Sequence, residues 1–458
     1  MPGNDRLPLR HEPKHTVSRK TATNTAMRCR LLILRRLMLA WRCVTCVTPG
    51  PQACVLPYAL AMALALVLAN NPLCAGPLGV EPTLGLSAGY QSNPLFLADG
   101  RGTSETLALL LHLPVTYSGD RVSFSLQPRF RAGATHGAVA PLADYQYFDS
   151  VWDDKGVLNE FTAKAGWHRD STLYNPFEQS ALGGSTLHRQ EDTGSFDWRH
   201  QLSERSDLEL FASEDQVHYG ATVTPTLSSF NYGQGGAKFA HDLSERWQLT
   251  LEGGVSEFEL RDQSYRTEAG YAQLDLSRRL SERWSLLASI GTSSLRFRQT
   301  IEEFFLVPDD QGVLHLVLRQ VDIHTRGHTG NYSLSLQREF QKWRLEVAAS
   351  RALQPSGFGA LATQDDVTVR LTGNRTERLT LTAAIHGSRL SDSSGRLSLG
   401  NRRYYDANVT GDWRWTEHWT LEAQLALYLQ RPAPTLAMVR NAAAFLTLTR
   451  EFGRTSPN

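Results

Sequence analysis

Cysteine is missing from most of this 458-residue chain. All five cysteines precede residue 76: Cys29, Cys43, Cys46, Cys54 and Cys74. The rest of the chain therefore has no thiol for a disulfide or for a thiolate metal site. Cys43 and Cys46 have CxxC spacing, but no second pair accompanies them, so the spacing does not indicate a zinc or redox site.

An excess of charge of either sign is also missing. The chain has 47 Lys and Arg against 46 Asp and Glu, a formal net charge of +1. Nucleic-acid-binding domains normally carry a clear basic excess, so we expect no nucleic-acid partner. The hydrolase signatures GxSxG and HExxH do not occur either. We therefore expect no enzyme activity, no catalytic residue, no bound metal and no cofactor.

Long hydrophobic runs are rare. The run LPYALAMALALVLA at residues 56–69 is shorter than the roughly 20 residues that a membrane-spanning helix needs. Arg35, Arg36 and Arg42 precede it and small residues follow it, which is typical of a secretory signal. We expect residues 1–76 to be a cleaved N-terminal leader whose true start lies downstream, for example at Met38. Residues 77–458 would then form one domain.

Strict alternation of polar and apolar residues dominates the chain beyond residue 79. This period of two is typical of a strand with one wet and one dry face. In WTLEAQLALYL at residues 419–429, Trp419, Leu421, Ala423, Leu425, Leu427 and Leu429 share one face. A helix would mix these residues with their polar neighbours on one stripe, so the pattern favours strands.

One turn is repeated along the chain, as in HDLSERWQLTLEGG from His241 and RRLSERWSLLASIG from Arg278. The Ser or Thr of this turn recurs at intervals of about forty residues, and each interval contains one hairpin with a longer loop. The turn residues are Ser203, Ser244, Ser281, Thr376 and Thr416. Short turns on one side and long loops on the other are typical of transmembrane β-barrels. We predict an all-β, single antiparallel up-and-down barrel of about 18 strands (16–18) in the outer membrane of a Gram-negative bacterium, with its termini and short turns in the periplasm.

The long extracellular loops are predicted between these hairpins. They are residues 93–104, 137–143, 170–189, 221–227, 300–325, 353–362, 390–399 and 431–438. The longest of them contains the apolar pieces FFLVP and VLHLVL. It is therefore the candidate for a lumen constriction or for a hairpin that extends above the membrane.

Aromatic residues flank the short turns. Trp247, Trp284, Trp343 and Trp419 each follow a turn, Trp415 precedes one, and Phe452 ends the last predicted strand. Indoles are stable at a membrane boundary, where the ring is half dry and the N–H reaches water. We interpret the six as a membrane-interface girdle; the alternative is that Trp is a good strand former in a soluble core.

Charged residues at the polar positions of the alternating strands are candidates for the lumen wall. They are Arg129, Arg131, Asp275, Arg344, Glu346 and Glu422. A barrel of 16 to 18 strands can enclose an aqueous channel, and such charges would set its ion or sugar preference. The alternative is an interior salt-bridge network that only fills the lumen.

The stretches GLSAGYQSNPLFL (85–97) and GWHRDSTLYN (166–175) and the LSERW turns also suggest a family. Together they resemble the beta-barrel porin 2 group of Gram-negative outer-membrane proteins, over about residues 82–452. The resemblance implies a porin-type barrel without catalytic residues, and some members are associated with exopolysaccharide export. The last strand, AAAFLTLTREF, resembles the signal by which outer-membrane barrels reach their assembly machinery.

The expected function is passage of hydrophilic solutes or export of polysaccharide through the lumen. The expected partners are outer-membrane lipid, the barrel assembly machinery and a polysaccharide export system; the oligomeric state is left open. Two alternatives remain. One is an outer-membrane barrel enzyme acting on lipid or surface polymer through rim residues such as His315, His324 and His328 near Asp322. The other is a plugged structural or adhesive barrel.

Overall fold

The computed structural model describes residues 78–98, 100, 102–137, 144–179, 186–220, 227–261, 265–308, 314–392, 402–431 and 437–452. The predicted leader, all five cysteines and the tail 453–458 lie outside the described residues. So do parts of the predicted loops, including residues 138–143, 221–226, 393–401 and 432–436.

The described chain is almost entirely β-strand, as the alternation predicts. The strands are β1 (Leu78–Val80), β2 (Thr83–Gln91), β3 (Ser104–His112), β4 (Val115–Ser118), β5 (Val122–Gly137), β6 (Tyr145–Lys155), β7 (Asn159–Ser171), β8 (His188–Ser203), β9 (Ser206–Tyr219), β10 (Phe230–Ser244), β11 (Trp247–Leu260), β12 (Tyr265–Ser281), β13 (Trp284–Pro308), β14 (Leu314–Glu339), β15 (Trp343–Ser356), β16 (Ala360–Asn374), β17 (Leu379–Asp392), β18 (Arg402–Arg414), β19 (Trp419–Arg431) and β20 (Val439–Glu451). Two short helical pieces, Thr172–Tyr174 and Pro176–Gln179, lie between β7 and β8. No helix among the described residues is long and apolar enough to cross a membrane.

The strands close into an antiparallel barrel of 18 strands, which confirms the predicted fold class. Apart from the short β1 and β4, each strand pairs with the strand before it and the strand after it, with β3 paired to β5. The ring closes where β2 pairs with β20, from Thr83 opposite Glu451 to Gln91 opposite Ala443. The short β1 and β4 continue the lines of β2 and β3 past interruptions that contain Pro82 and Pro114. Proline has no N–H to donate to the ladder, so strand pairing breaks there.

The two faces of the sheet differ sharply in exposure. Large apolar side chains in the middle of the strands are exposed on one face, among them Val255 at 66%, Ile290 at 68% and Leu425 at 65%. On the other face, Phe258 of β11 packs in one cluster with Leu361 of β16, although the two strands are not neighbours. Only the inside of a closed ring brings such strands together, so the exposed apolar belt is the outside of the barrel.

The repeated Ser-Glu-Arg step is a hydrogen-bonded turn. The hydroxyls of Ser203, Ser244 and Ser281 each accept a hydrogen bond from the backbone N–H two residues later, at 3.3 Å. This local bond satisfies a turn donor, which is why Ser and Thr suit this position. The Phe452 N–H also donates to the Pro82 carbonyl at 2.8 Å. The two described ends of the chain therefore meet at the end of the barrel where the short turns lie.

Two segments predicted as loops are largely strand, and the first of them forms the extended hairpin that is one of the two expectations for it. Residues 300–325 are strand over most of their length, because β13 and β14 pair continuously from Trp284 opposite Arg338 to Pro308 opposite Leu314. β14 pairs with β15 only over Tyr332–Glu339, so the rest of this hairpin projects beyond its neighbour. The predicted loop 353–362 is reduced to residues 357–359, since β15 ends at Ser356 and β16 begins at Ala360.

Candidate functional site

The inner wall of the barrel is polar and charged, and it is the candidate site. Strand register places all six predicted lumen residues on this wall: Arg129 and Arg131 on β5, Asp275 on β12, Arg344 and Glu346 on β15, and Glu422 on β19. The six do not converge on one spot. Arg344 pairs with Glu339 at 2.6 Å, whereas Glu422 lies opposite the carboxylate of Asp412. Their effect on passing solutes stays a prediction.

One part of the wall carries a continuous ion-pair network. Asp149 on β6 contacts both Arg129 on β5 and His168 on β7. His168 in turn lies 3.6 Å from Glu191 on β8. Four successive strands are therefore connected through their inward side chains. Such a network fixes the spacing of charges along this part of the wall.

The network ends at a buried arginine near the long-loop end of the barrel. Arg189 on β8 donates two hydrogen bonds to Asp170 on β7, at 3.0 and 2.9 Å. Tyr147 donates to the same carboxylate at 2.8 Å. Asp170 is only 2% exposed, and the bidentate geometry compensates for its loss of hydration.

Residues 172–179, which follow β7, lie inside the barrel; we refer to them as the crossing segment. Asn175 begins its short helix by accepting hydrogen bonds from the N–H groups of Phe177 and Glu178, at 3.1 and 3.3 Å. Glu178 is 5% exposed and accepts a hydrogen bond from the Tyr219 hydroxyl at 2.6 Å. Burial raises the pKa of Glu178 to about 7, although Arg189 and the Tyr219 hydrogen bond act in the opposite direction.

The crossing segment connects opposite sides of the ring. Tyr219 lies on β9, while the ring of Phe177 is 6.2 Å from that of Tyr404 on β18. β9 and β18 are nine strands apart in either direction around the barrel. Two adjacent residues of one segment thus contact diametrically opposed strands, so the segment spans the lumen at this level.

A second segment also folds inward; we refer to residues 356–362 as the hairpin tip. Ala360, Leu361 and Ala362 at the start of β16 have 0% exposure. Ala360 and Leu361 pack in the apolar cluster with Phe258, Leu295 and other residues of β9 to β13. The Ser228 N–H donates to the Gly357 carbonyl at 2.7 Å, which ties the tip to the segment before β10.

The two inward segments meet at Tyr219. A Cβ on Gly357 would overlap the Tyr219 hydroxyl oxygen, so a larger residue here would displace the tip or the tyrosine. The same hydroxyl donates to Glu178. Gly359, with φ of +86°, supplies the left-handed conformation that turns the tip. Tyr219 is therefore the common contact of both segments.

A second polar cluster faces the crossing segment from the other side. His386 on β17 lies 2.9 Å from Asp406 on β18 and 3.2 Å from Asp366 on β16. The ring of Tyr404 is 6.1 Å from His386. Among the described residues no group of three His, Cys, Asp or Glu side chains could hold a metal ion.

Of the predicted rim histidines, His324 and His328 have described side chains, and neither forms a hydrogen bond or ion pair with Asp322. Asp322 instead bonds to Arg298 at 3.1 Å and to Thr300 at 2.7 Å, on the projecting part of the β13–β14 hairpin. His324 and His328 lie four residues apart on β14, which separates their Cα atoms by about 13 Å. The side chain of His315 lies outside the described residues.

The predicted aromatic residues all lie at the short-turn end. Trp247, Trp284, Trp343 and Trp419 are the first residues of β11, β13, β15 and β19. Trp415 lies in the turn before β19, with its ring 6.4 Å from that of Trp413, and Phe452 follows β20. An arginine lies over four of these rings: Arg278 over Trp247, Arg338 over Trp284, and Arg450 over both Trp419 and Phe452.

Sequence reasoning missed the residues that cross the lumen. Glu178, Tyr219 and Leu361 follow the ordinary alternation or fall in a predicted loop. The one available signal was Asn175-Pro176 with Glu178 in the following turn, which is a pattern for beginning a helix. Nothing in the sequence alone indicates which strands this helix contacts.

No protein-family profile and no curated protein sequence matches the chain. Solved structures with a similar chain path include the ferric-catecholate import receptor Fiu of E. coli K12 in its open form, with 10% identity, 81% of each chain covered and a TM-score of 0.42. They also include OccK2 (OpdF) of Pseudomonas aeruginosa in complex with glucuronate, with 12% identity, 82% of this chain and 98% of that chain covered and a TM-score of 0.43. The outer membrane protein OpdK of Pseudomonas aeruginosa has 13% identity, covers 82% and 99%, and has a TM-score of 0.41. These similarities are too weak to transfer a substrate or a mechanism to this chain.

Proposed function

We propose that the protein lies in the outer membrane of a Gram-negative bacterium and lets hydrophilic solutes pass through its lumen. The observation that carries the proposal is the contrast between the two faces of the closed sheet. An apolar belt with residues such as Ile290 and Leu425 surrounds a wall of ion pairs such as Arg129–Asp149 and His386–Asp406. Such an interior is compatible with water and charged or sugar-like solutes, and such an exterior with lipid.

The crossing segment and the hairpin tip would form the narrowest part of the path. Both reach Tyr219, one through a hydrogen bond and the other through close packing. Between these two segments and the short-turn end, the lumen wall carries charged side chains, including those of Asp412 on β18 and Glu422 on β19. We propose that solutes pass beside these segments and then along this charged wall.

A plugged structural barrel is the second candidate, and a specific observation favours it. Ala360, Leu361 and Ala362 are fully buried, so the hairpin tip is packed as tightly as a protein core. Export of polysaccharide and membership of the beta-barrel porin 2 group rest on the sequence resemblance alone. They remain finer proposals within the same function.

Single-channel recording of the purified protein in planar lipid bilayers tests the channel. Discrete ohmic current steps in potassium chloride, reduced by neutral polyethylene glycols small enough to enter, are the expected result. Bilayers that stay silent while the inserted protein shows heat-modifiable migration on a gel would establish the plugged barrel instead. Passage of charged monosaccharides and of oligosaccharides into protein-containing liposomes would then separate small-solute passage from polymer export.

A further inference from the structure

Three arginines at the short-turn end stack on aromatic rings in a repeated arrangement. The guanidinium carbon of Arg278 is 4.1 Å from the centre of the Trp247 ring, and that of Arg338 is 4.8 Å from Trp284. Arg450 is 5.5 Å from Trp419 and 4.7 Å from Phe452. Each arginine is the direct cross-strand partner of its tryptophan. Because the same hairpin recurs along the chain, the structure contains three similar arginine–indole pairs.

These pairs lie on the outside of the barrel, at the edge of the apolar belt. Leu274, Leu334 and Leu446 lie four residues from the three arginines, on the same strand face, and are 40%, 49% and 50% exposed. Four residues of strand correspond to about 13 Å. The guanidinium groups are thus placed where the apolar belt gives way to the turns, at the depth of lipid headgroups.

The positive charges of these three arginines are not neutralised by the protein. No described carboxylate forms an ion pair with any of them. On the inner wall, by contrast, Arg129 is paired with Asp149 and Arg189 with Asp170. Stacking on an indole occupies the flat face of a guanidinium and leaves its N–H groups, which lie in the plane, available to an acceptor.

We propose that each arginine–indole pair binds the phosphate of a phospholipid headgroup in the periplasmic leaflet. The guanidinium donates two parallel N–H bonds to phosphate oxygens, the geometry in which arginine binds phosphate most strongly. The indole holds the guanidinium in place, and the acyl chains lie along the leucines of the same strand. The inference rests on the membrane orientation in the proposed function, but not on conduction through the lumen.

Two of the three pairs are close enough to act together. Arg278 on β12 and Arg338 on β14 flank β13, on which Trp284 lies. Arg338 lies opposite Trp284 and Arg278 lies opposite Leu286. With strands about 4.8 Å apart and a rise of about 3.3 Å per residue, the two arginine positions are about 12 Å apart. A lipid with a net negative charge should therefore bind here more strongly than a zwitterionic one, because two unpaired guanidinium groups attract it.

Native mass spectrometry of the detergent-solubilised protein tests the proposal, with phosphatidylglycerol as the probe. The variant R278Q/R338Q/R450Q removes the three charges and keeps much of each side-chain stem. We expect its affinity for phosphatidylglycerol to fall at least about tenfold, the factor for losing one charge-assisted hydrogen bond. Binding of diacylglycerol, which has no phosphate, should not change. Inorganic phosphate without acyl chains should not bind measurably to either protein.

The matched control is R296Q/R326Q/R403Q, which removes three outward arginines at the long-loop end of the strands that lie over no tryptophan ring. This control should bind phosphatidylglycerol as the unmodified protein does. Equal binding by the R278Q/R338Q/R450Q variant, or an equal loss in the control, would overturn the proposal. Heat-modifiable migration verifies that each variant is folded. Conductance is measured separately, so a silent channel would overturn the proposed function and leave the lipid result intact.

Discussion

The Tyr219 hydroxyl donates a hydrogen bond to the Glu178 carboxylate across 2.6 Å, and this contact holds the crossing segment to the wall. Because Phe177, the adjacent residue, contacts Tyr404 on the opposite side, one hydrogen bond stabilises a bridge across the whole lumen. The first prediction follows directly. Tyr219→Phe removes the donor and should weaken the bridge by about 1–3 kcal/mol, since Glu178 is left buried with one partner fewer.

The measurement for Tyr219→Phe is single-channel conductance, which should rise as the crossing segment spends more time away from the wall. Tyr271→Phe is the control. Tyr271 donates to Glu252 at 3.0 Å on the adjacent strand and contacts neither inward segment. A conductance unchanged in Tyr219→Phe, or raised equally in Tyr271→Phe, would show that the bridge does not limit passage.

The hairpin tip gives a second prediction through its close packing on Tyr219. Gly357→Ala places a methyl group in steric conflict with the Tyr219 hydroxyl oxygen. We expect the tip to be displaced and the barrel to be destabilised by about 1–3 kcal/mol, as is usual for overpacking. Urea unfolding in detergent measures the change. Gly270→Ala is the control, because a Cβ there meets nothing within 4 Å; a comparable loss in that variant would contradict the explanation.

The buried carboxylate of Glu178 predicts a pH-dependent bridge. Burial raises its pKa from 4.5 to about 7, so the docked segment favours the protonated acid. The free energy of docking is fully present below pH 4.5, falls as the pH rises toward 7, and is constant above that. The open fraction of the channel should therefore increase between pH 5 and pH 7.

Glu178→Gln tests the origin of this pH dependence, because glutamine has the shape of the protonated acid and does not titrate. The variant should keep the low open fraction across the whole range. Bilayer recordings at pH 5, 6, 7 and 8 on both proteins provide the comparison. If the variant shows the same rise as the unmodified protein, another group causes it.

The facing carboxylates of Asp412 and Glu422 predict the sign of ion preference near the short-turn end. They are cross-strand partners on the inner wall, and no described arginine or lysine forms an ion pair with either. The double variant D412N/E422Q should shift the reversal potential in a potassium chloride gradient toward anions, because two negative charges leave the path. Glu259→Gln, which removes a carboxylate from the outer face of β11, should leave the reversal potential unchanged.

The architecture could be predicted because its signal is local. Alternation in β19 and the Ser turns before Trp247 and Trp284 depend only on neighbouring residues, and the structure confirms the barrel they predict. The length of β13 could not be predicted in this way. Its residues 300–308 pair with residues 314–322 of β14, which follow only after the next turn. Their apolar residues fit a packed loop as well as a strand, so the local pattern does not distinguish the two.

The crossing of the lumen could not be predicted because it depends on contacts between distant residues. Gly357 and Ser228 are far apart in sequence, and only the closed ring brings them to one hydrogen bond. Leu361 follows the usual pattern of a strand, yet it packs on β11 and β13 rather than on lipid. Near the rim, the tilt of a hairpin toward the lumen decides which of its apolar residues face inward. The alternation of polar and apolar residues does not reveal this tilt.

The closure of the ring by β2 and β20 also constrains the order of folding. Thr83 pairs with His112 of β3 on one side, but its partner on the other side is Glu451 of β20, so the ring remains open until nearly the whole described chain has been made. Until then the growing sheet has two unpaired edges, which would accept strands from other chains. Because closing so long a loop costs conformational entropy, we expect ring closure to be a late step of folding. A chain that ends before β20 should therefore accumulate as aggregate, however complete its other hairpins are.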